Sequence, residues 1–186
     1  MSGKLERALR WAALHHRGQE RRASGVPYVE HVMGVALILE RLGFPEDVVI
    51  AGLLHDLVED TEVTLEQIHD EFGAQVAETV HFCTEVKTDA RGQKRPWLDR
   101  KRDHLNDLER APVSALAVVL ADKLHNLVSI QVDLEEGRAV WETFNAQREQ
   151  VLWYYQTVIE QFGEGDPRLA DLADQCQDAL AEVREM

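Results

Sequence analysis

Cysteine is almost missing from this chain: Cys83 and Cys176 are the only two in 186 residues, far apart and in no CxxC arrangement. That excludes a disulfide-stapled scaffold and a thiolate zinc site, and it fits a reducing compartment. An apolar run long enough to cross a bilayer and a signal-peptide h-region are both lacking, so a soluble cytoplasmic protein with no membrane role is expected. Positive charge is scarce too, with 20 Lys and Arg against 34 Asp and Glu and a net charge of −14. Phosphate backbones are held mainly by Lys and Arg, so general nucleic-acid binding is excluded, whereas a small phosphate ester is not. No stretch alternates like a strand, and no repeat, low-complexity tract or linker is visible.

What remains is helical. Apolar residues recur at helical spacing, for example Leu5, Leu9, Ala12 and Ala13, then Val32, Val35, Ala36, Leu39 and Leu42. Gly43-Phe44-Pro45 stops one helix and opens another, and Thr64 with Gln67 forms a capping-box pattern. The pattern predicts helices near 3–19, 31–42, 45–59, 64–72, 74–85, 96–109, 113–130, 138–162 and 167–183. A chain of this length suits one domain over 1–186, able to bury roughly 70% of its unfolded surface. Two loops look substantial, about Arg17 to Tyr28 and about Lys87 to Pro96. Each carries positive charge: Arg17, Arg21 and Arg22 in the first, and in Lys87 to Arg102 seven basic residues against Asp89 and Asp99. Such runs are either plain solvated surface or a means of focusing a polyanion on one mouth.

The block Leu54-His55-Asp56-Leu57-Val58-Glu59-Asp60-Thr61 is the most informative stretch. On a continuous helix His55 lies under Glu59, and Asp56 lies near both Glu59 and Asp60. So much charge inside an apolar segment is economical only with a bound cation. Asp122 likewise interrupts the run Ala115 to Ala121, with His125 and Asn126 three and four residues on. Alone, such an aspartate pairs with an arginine, caps a neighbouring helix or binds a metal. His31 starts a helix after the turn Gly25-Val26-Pro27-Tyr28, where a lone histidine is usually structural. Taken together, His31, His55, Asp56 and Asp122 make a mixed set of two imidazoles and two carboxylates from three helices, with positions left for water. That set fits Mn²⁺, Fe²⁺ or Zn²⁺ better than Ca²⁺. A divalent ion brings the pKa of water toward about 7 and polarises a phosphoryl oxygen. Glu59 and Asp60 are the candidates to orient or deprotonate the water, or to protonate a leaving group. His15, His16, His69, His81 and His104 read as surface or packing residues, and His125 as support for Asp122.

Gly18-Gln19-Glu20-Arg21-Arg22, Gly25-Val26-Pro27-Tyr28-Val29-Glu30-His31, the His55-Asp56-Leu57-Val58-Glu59-Asp60 block, Phe72-Gly73 and Ala121-Asp122-Lys123-Leu124-His125-Asn126 together resemble the HD superfamily of metal-dependent phosphohydrolases. Within it they are most similar to the hydrolase domain of RelA/SpoT-type alarmone enzymes and to the small alarmone hydrolases. The resemblance covers about residues 5–130, with the helices of 138–183 matching weakly. It implies an all-α HD-domain helical bundle holding Mn²⁺, with Fe²⁺ or Zn²⁺ as alternatives, and hydrolysis of (p)ppGpp at its 3′-pyrophosphate to give GDP or GTP. It assigns metal binding to His31, His55, Asp56 and Asp122, the water to Glu59 and Asp60, and phosphate to Arg21. Asn126 and Ser129 would then touch sugar or phosphate, Lys87 to Arg102 would form a lid over the anion, and Arg148 would supply a C-terminal phosphate contact. The chain departs from the family pattern at Val32, where Pro is usual, and at Val128, where Arg is usual.

Two other readings stay open. One is another nucleotide phosphohydrolase of the superfamily, a 5′-nucleotidase or an NADPH 2′-phosphatase, which releases orthophosphate rather than pyrophosphate. The other is a non-catalytic helical module with a structural metal, binding a partner through its acidic surface. The last segment, with Leu169, Leu172, Ala173, Cys176 and Leu180 at amphipathic spacing, either packs on the bundle or pairs with a second subunit in a homo-oligomer.

Overall fold

Helix α8 (Val113–Glu135) is apolar nearly all round, and such a helix must lie inside. Ala115, Ala117, Val118, Val119, Leu120, Ala121 and Leu127 are all buried. The other helices surround it. The computed structural model describes residues 1–186 as ten α-helices and one short 3₁₀ turn, with no sheet. Around α8 pack α2 (Val29–Arg41), α3 (Glu46–Leu54), α6 (Ala74–Cys83), α9 (Arg148–Phe162) and α10 (Pro167–Glu185). Helix α1 (Gly3–His15) covers α3, and α5 (Leu65–Phe72) packs beside α6. The remaining pieces are α4 (Leu57–Asp60) and α7 (Trp97–Leu108), and one apolar cluster joins Ala8 at one end of the chain to Val183 at the other. By length and composition alone α8 could also cross a membrane. The sequence reading found no such run because Asp122 and Lys123 interrupt it, and in the fold its apolar surface is taken up by the neighbouring helices.

The helical pattern is realised with three instructive differences. The first helix stops at His15 rather than near 19, because Gly18 turns the chain at φ +78° into a loop closed by a Glu20–Pro27 bridge. The expected helix 45–59 is two helices, broken at His55 and Asp56. In an unbroken helix the Gly52 carbonyl accepts from the Asp56 N–H; here it accepts from His55 Nδ1 at 2.8 Å. The expected helix 138–162 is also interrupted. Helix α8 runs on to Glu135, Gly137 at φ +75° ends it, a 3₁₀ turn spans Val140–Thr143, and a capping box between Gln147 and Gln150 starts α9. The last segment packs on the bundle: Leu169, Leu172, Cys176, Leu180 and Val183 are buried against α8 and α9.

Gly52 sets the distance between α2 and α3, the helices that lead to His31 and His55. A Cβ there would sit 2.7 Å from Leu39 Cδ1 and 3.4 Å from Val35 Cγ1, both in the filled core. Gly52→Ala is expected to destabilise the fold by about 1–3 kcal/mol through overpacking, read as a lower Tm in thermal unfolding. An unchanged Tm would show that the two helices have room to spare.

Candidate active site

Three helix segments bring their polar residues to one point. His31 comes from the first turn of α2, His55 and Asp56 from the break between α3 and α4, and Asp122 from the middle of α8. One ligand atom each from His31, His55 and Asp122 falls within 4.8 Å of the others. His31 Nε2 lies 3.1 Å from Asp122 Oδ1 and 3.6 Å from Asp56 Oδ2, and His55 Nε2 lies 3.1 Å from Asp56 Oδ2. The trio is therefore mutually in reach, with Asp56 bordering both imidazoles.

The donor set suits a divalent cation on grounds independent of spacing. A carbonyl only accepts, so His55 Nδ1 carries the hydrogen that the Gly52 carbonyl takes, and Nε2 is left with its lone pair toward the cluster. That Nε2 is buried and has no hydrogen-bond partner, since Asp56 Oδ2 is near but poorly aligned. His31 is braced in the same sense. Its Nδ1 meets His125 Nδ1 at 2.9 Å, and His125 Nε2 lies 3.3 Å from Glu30 Oε1. A His31 N–H donated to His125 Nδ1 leaves His31 Nε2 free, with His125 Nε2 facing Glu30. Gly34 makes room for this ring, since a Cβ there would sit 2.1 Å from His125 Cδ2.

Electrostatics shows the pull of the cluster for positive charge. Burial pushes His31 below the ordinary histidine range, and burial with the His31 charge takes His125 down to about 4. Burial also disfavours a charged His55, yet Asp56 and Asp122 outweigh it and hold that imidazole well above its ordinary value. Burial would raise both carboxyls, but His55 draws Asp56 down, and Lys123, followed by the two histidines, draws Asp122 down. Two carboxylates kept ionised in a buried pocket demand positive charge beside them.

The sequence reading stacked His55, Asp56, Glu59 and Asp60 on one helical wall; the break at 55–56 divides them. His55 and Asp56 face the cluster, while Glu59 and Asp60 line the adjoining cavity and its mouth. Glu59 is tied down at both oxygens, Oε2 by the Glu85 N–H at 3.1 Å and Oε1 by Lys87 Nζ at 3.1 Å. Asp60 gives Oδ1 to Lys87 Nζ at 2.6 Å and keeps Oδ2 free. Burial, with the nearby Asp56 and Glu85 charges, raises the Glu59 carboxyl. Lys87 therefore serves these two acids first.

The expected substrate contacts divide. Arg21 donates to Asn126 Oδ1 at 2.8 Å, Asn126 donates to Asp122 Oδ1 at 2.6 Å, and both line the cleft with Lys87. Ser129 lies elsewhere, about two turns further along α8 than Asp122, in a surface hollow with Ser24, Glu30 and Val132. Arg148 also lies apart. Its guanidinium donates to the carbonyls of Val183 and Arg184 and stacks on Trp141, fastening α9 to the end of α10. The basic stretch is largely neutralised within the protein: Arg95 pairs with Asp103, and Arg100 and Lys101 both pair with Glu85. Its cleft-facing members are Lys87, Arg100 and Lys101, with Trp97.

Several site residues escaped the sequence reading. Tyr28 donates to Asp56 Oδ2 at 2.6 Å, its hydroxyl kept un-ionised by burial and by Asp56. Glu85, Lys101, His104, Lys123 and Tyr155 line the inner cavity. His104 is buried between the Tyr154 hydroxyl and the Phe82 carbonyl. For Tyr28 the Pro-Tyr turn ahead of His31 was a usable signal, and Lys123 stands beside its partner Asp122; Glu85, Lys101 and His104 pair with residues 16 to 50 positions away, which no local pattern marks.

Glu85 generates a pH prediction. Burial pushes its carboxyl up, but Lys101 above all, with His104 and Lys123, brings it net below the ordinary value. A depressed carboxyl contributes stability that is complete above its unfolded pKa and is lost as pH falls through the folded one. Glu85→Gln is expected to weaken the protein by about 3–5 kcal/mol at neutral pH, because Arg100 and Lys101 lose their carboxylate, and to flatten the acid limb of its stability curve. Denaturant unfolding from pH 3 to pH 7 checks both; an unchanged limb would show that Glu85 contributes nothing to it.

Known proteins resemble this chain in sequence and fold. The HD domain family model matches residues 8–152. The human guanosine-3′,5′-bis(diphosphate) 3′-pyrophosphohydrolase MESH1 is 38% identical over 160 residues, 84% of this chain and 84% of that protein. The Drosophila melanogaster MESH1 is 37% identical over 139 residues, 73% of this chain and 74% of that one. A solved structure, described as a metazoan ortholog of SpoT that hydrolyzes ppGpp, superposes with a TM-score of 0.79 at 30% identity, covering 97% of this chain and 98% of its own. With this helical bundle and its buried histidine-aspartate cluster, the chain belongs to the HD domain family and, within it, to the SpoT-like hydrolases.

Proposed function

We propose that this protein is a metal-dependent (p)ppGpp 3′-pyrophosphohydrolase, with Mn²⁺ held by His31, His55, Asp56 and Asp122. The observation that carries the reading is the buried, partnerless Nε2 of His55 beside two carboxylates, at the edge of a cleft lined by arginines and lysines. The relatives named above supply the substrate class. When bound, the cation would activate water and polarise the phosphoryl group. Tyr28 holds Asp56 in place from one side and Asn126 holds Asp122 from another. Glu59, fixed by the Glu85 N–H and Lys87, shapes the wall beside the reacting atoms, and Asp60 Oδ2 is the free carboxylate oxygen able to orient the water or take its proton. Arg21, already bonded to Asn126, presents its remaining donors to phosphate.

The geometry separates metal binding from water handling, so the variants separate as well. Asp60→Asn is expected to retain Mn²⁺ with at least a 100-fold loss of turnover, a size typical of general acid–base catalysis, while Asp56→Ala loses both. Metal content after dialysis and kcat on ppGpp check this, and equal metal loss in the two variants would overturn the division of roles. Incubating Mn²⁺-loaded protein with ppGpp, NADPH and nucleoside monophosphates, and identifying the phosphorus product, tests the substrate. Pyrophosphate from ppGpp is expected; orthophosphate from NADPH or a nucleotide would favour the other phosphatase readings, and no turnover at all would favour a binding module.

A further inference from the structure

Helix α4 is a single turn, and a turn that short holds itself poorly, because nucleating a helix fixes several residues for one hydrogen bond. It is closed by the Asp60 N–H on the Asp56 carbonyl at 2.9 Å and the Thr61 N–H on the Leu57 carbonyl at 3.0 Å. The carbonyls of its last two residues are taken from outside. Lys87 Nζ reaches that of Glu59 at 3.2 Å, and the Gln19 side-chain amide donates to that of Asp60 at 2.9 Å. Asp60, the acid with the open oxygen, thus stands at the last position of a marginal turn. Its main chain is held by the loop that also carries Arg21.

Gln19 is itself oriented. The Asp60 carbonyl only accepts, so the amide nitrogen of Gln19 faces it; Oε1 then faces His16 Nδ1 at 2.6 Å, and that nitrogen carries the hydrogen between them. His16 ends α1, is 2% exposed and lines neither the inner cavity nor the cleft. Its other nitrogen, Nε2, is buried and meets no partner. A polar atom so placed is destabilising, and a phenyl ring would fill the same space without it. What the imidazole adds here is the Nδ1 hydrogen that sets the Gln19 amide. The main chain repeats the link, with the Gln19 N–H on the His16 carbonyl at 3.0 Å and the Tyr28 N–H on the Gln19 carbonyl at 2.9 Å. The Tyr28 ring packs on that of His16, their centres 5.0 Å apart.

We propose that His16 and Gln19 are positioning residues for Asp60. His16 Nδ1 sets the Gln19 amide, and the amide sets the main chain at Asp60; with Oδ1 held by Lys87, the direction of Oδ2 is then fixed. His16 acts without touching substrate or metal. The inference rests on the reading of Asp60 as the acid that orients the water or takes its proton, and it adds two residues that work through that acid. Spacing alone left His16 among the packing residues, because what distinguishes it is a carbonyl 41 positions beyond Gln19.

The test is a double-mutant cycle on Mn²⁺-loaded protein with ppGpp, run beside amide hydrogen exchange of α4 read by NMR. Gln19→Met removes both side-chain bonds at similar size and unchanged charge, and His16→Phe removes the donor while keeping a ring against Tyr28. Each is expected to lower kcat about 10- to 100-fold, the scale of a misplaced catalytic group, with KM shifted less than about threefold. Bound Mn²⁺ should be unchanged, and exchange at Asp60 and Thr61 faster. His16→Asn, whose side-chain amide can stand in for Nδ1, should keep most of kcat. In an Asp60→Asn background neither substitution should lower kcat much further, since both act through that carboxylate. Full additivity with Asp60→Asn, or a raised KM with kcat intact, would overturn the proposal. Thermal melts identify any unfolded variant, and Gln19→Met alone carries the test should His16→Phe be one. If the wild-type protein leaves ppGpp intact, the exchange arm still answers: faster exchange of α4 in Gln19→Met upholds the link to Asp60 and counts against the activity alone, and unchanged exchange refutes the link.

Discussion

Two carboxylates and two imidazoles set among buried leucines and valines are the constraint from which the rest of this molecule follows. Asp56 and Asp122 cannot lie in such a place as bare charges, and His31 and His55 alone do not neutralise them. Each is accordingly held from behind. Tyr28 bonds Asp56, Asn126 and Lys123 bond Asp122, the Gly52 carbonyl bonds His55, and His125 backed by Glu30 bonds His31. These supports fix which nitrogen of each ring faces the cluster, and they come from helices α2, α3 and α8 packed on one another. The core and the site are thus one construction: the close approach at Gly52 that seats α3 on α2 also aligns the imidazoles.

Outside the cluster, charge is arranged by pairing rather than by excess. The chain carries −14 overall, yet its cleft gathers Arg21, Arg22, Lys87, Arg100 and Lys101 on one side. Most of these meet acids within the protein, Lys87 with Glu59 and Asp60, and Arg100 and Lys101 with Glu85. Such pairs hold the cations in place in a site of reduced dielectric.

Much of the fold was legible because helical periodicity is a local signal. The helices starting near Leu65, Ala74, Trp97 and Val113 lie where apolar spacing and capping residues put them. The failures are local signals overridden by contacts. Residues 45–59 read as one helix, but the His55 imidazole takes the Gly52 carbonyl and the helix breaks where the site needs it. The segment after Gly137 read as helical, and its 3₁₀ turn and extended link to Gln147 are settled by packing against α8 and by the capping box of α9. Ser129 and Arg148 were placed near substrate by motif order alone, which cannot tell which hollow along α8 a residue lines or foresee the C-terminal carbonyls that Arg148 meets.

By itself the sequence determined the class of the protein, its helices and the candidate cluster, because residue type and spacing along one helix are enough to mark a histidine or aspartate out of place among apolar neighbours. Only the tertiary structure decided that Tyr28 and His125 brace the cluster, that Glu59 is anchored while Asp60 keeps an open oxygen, and that Lys101 and Lys123 share one inner chamber. The reason is distance along the chain. Those pairings join residues 26 to 94 positions apart, or set two lysines against one ring of α9, and no local pattern encodes a neighbour that arrives only when helices from both ends of the chain close on α8.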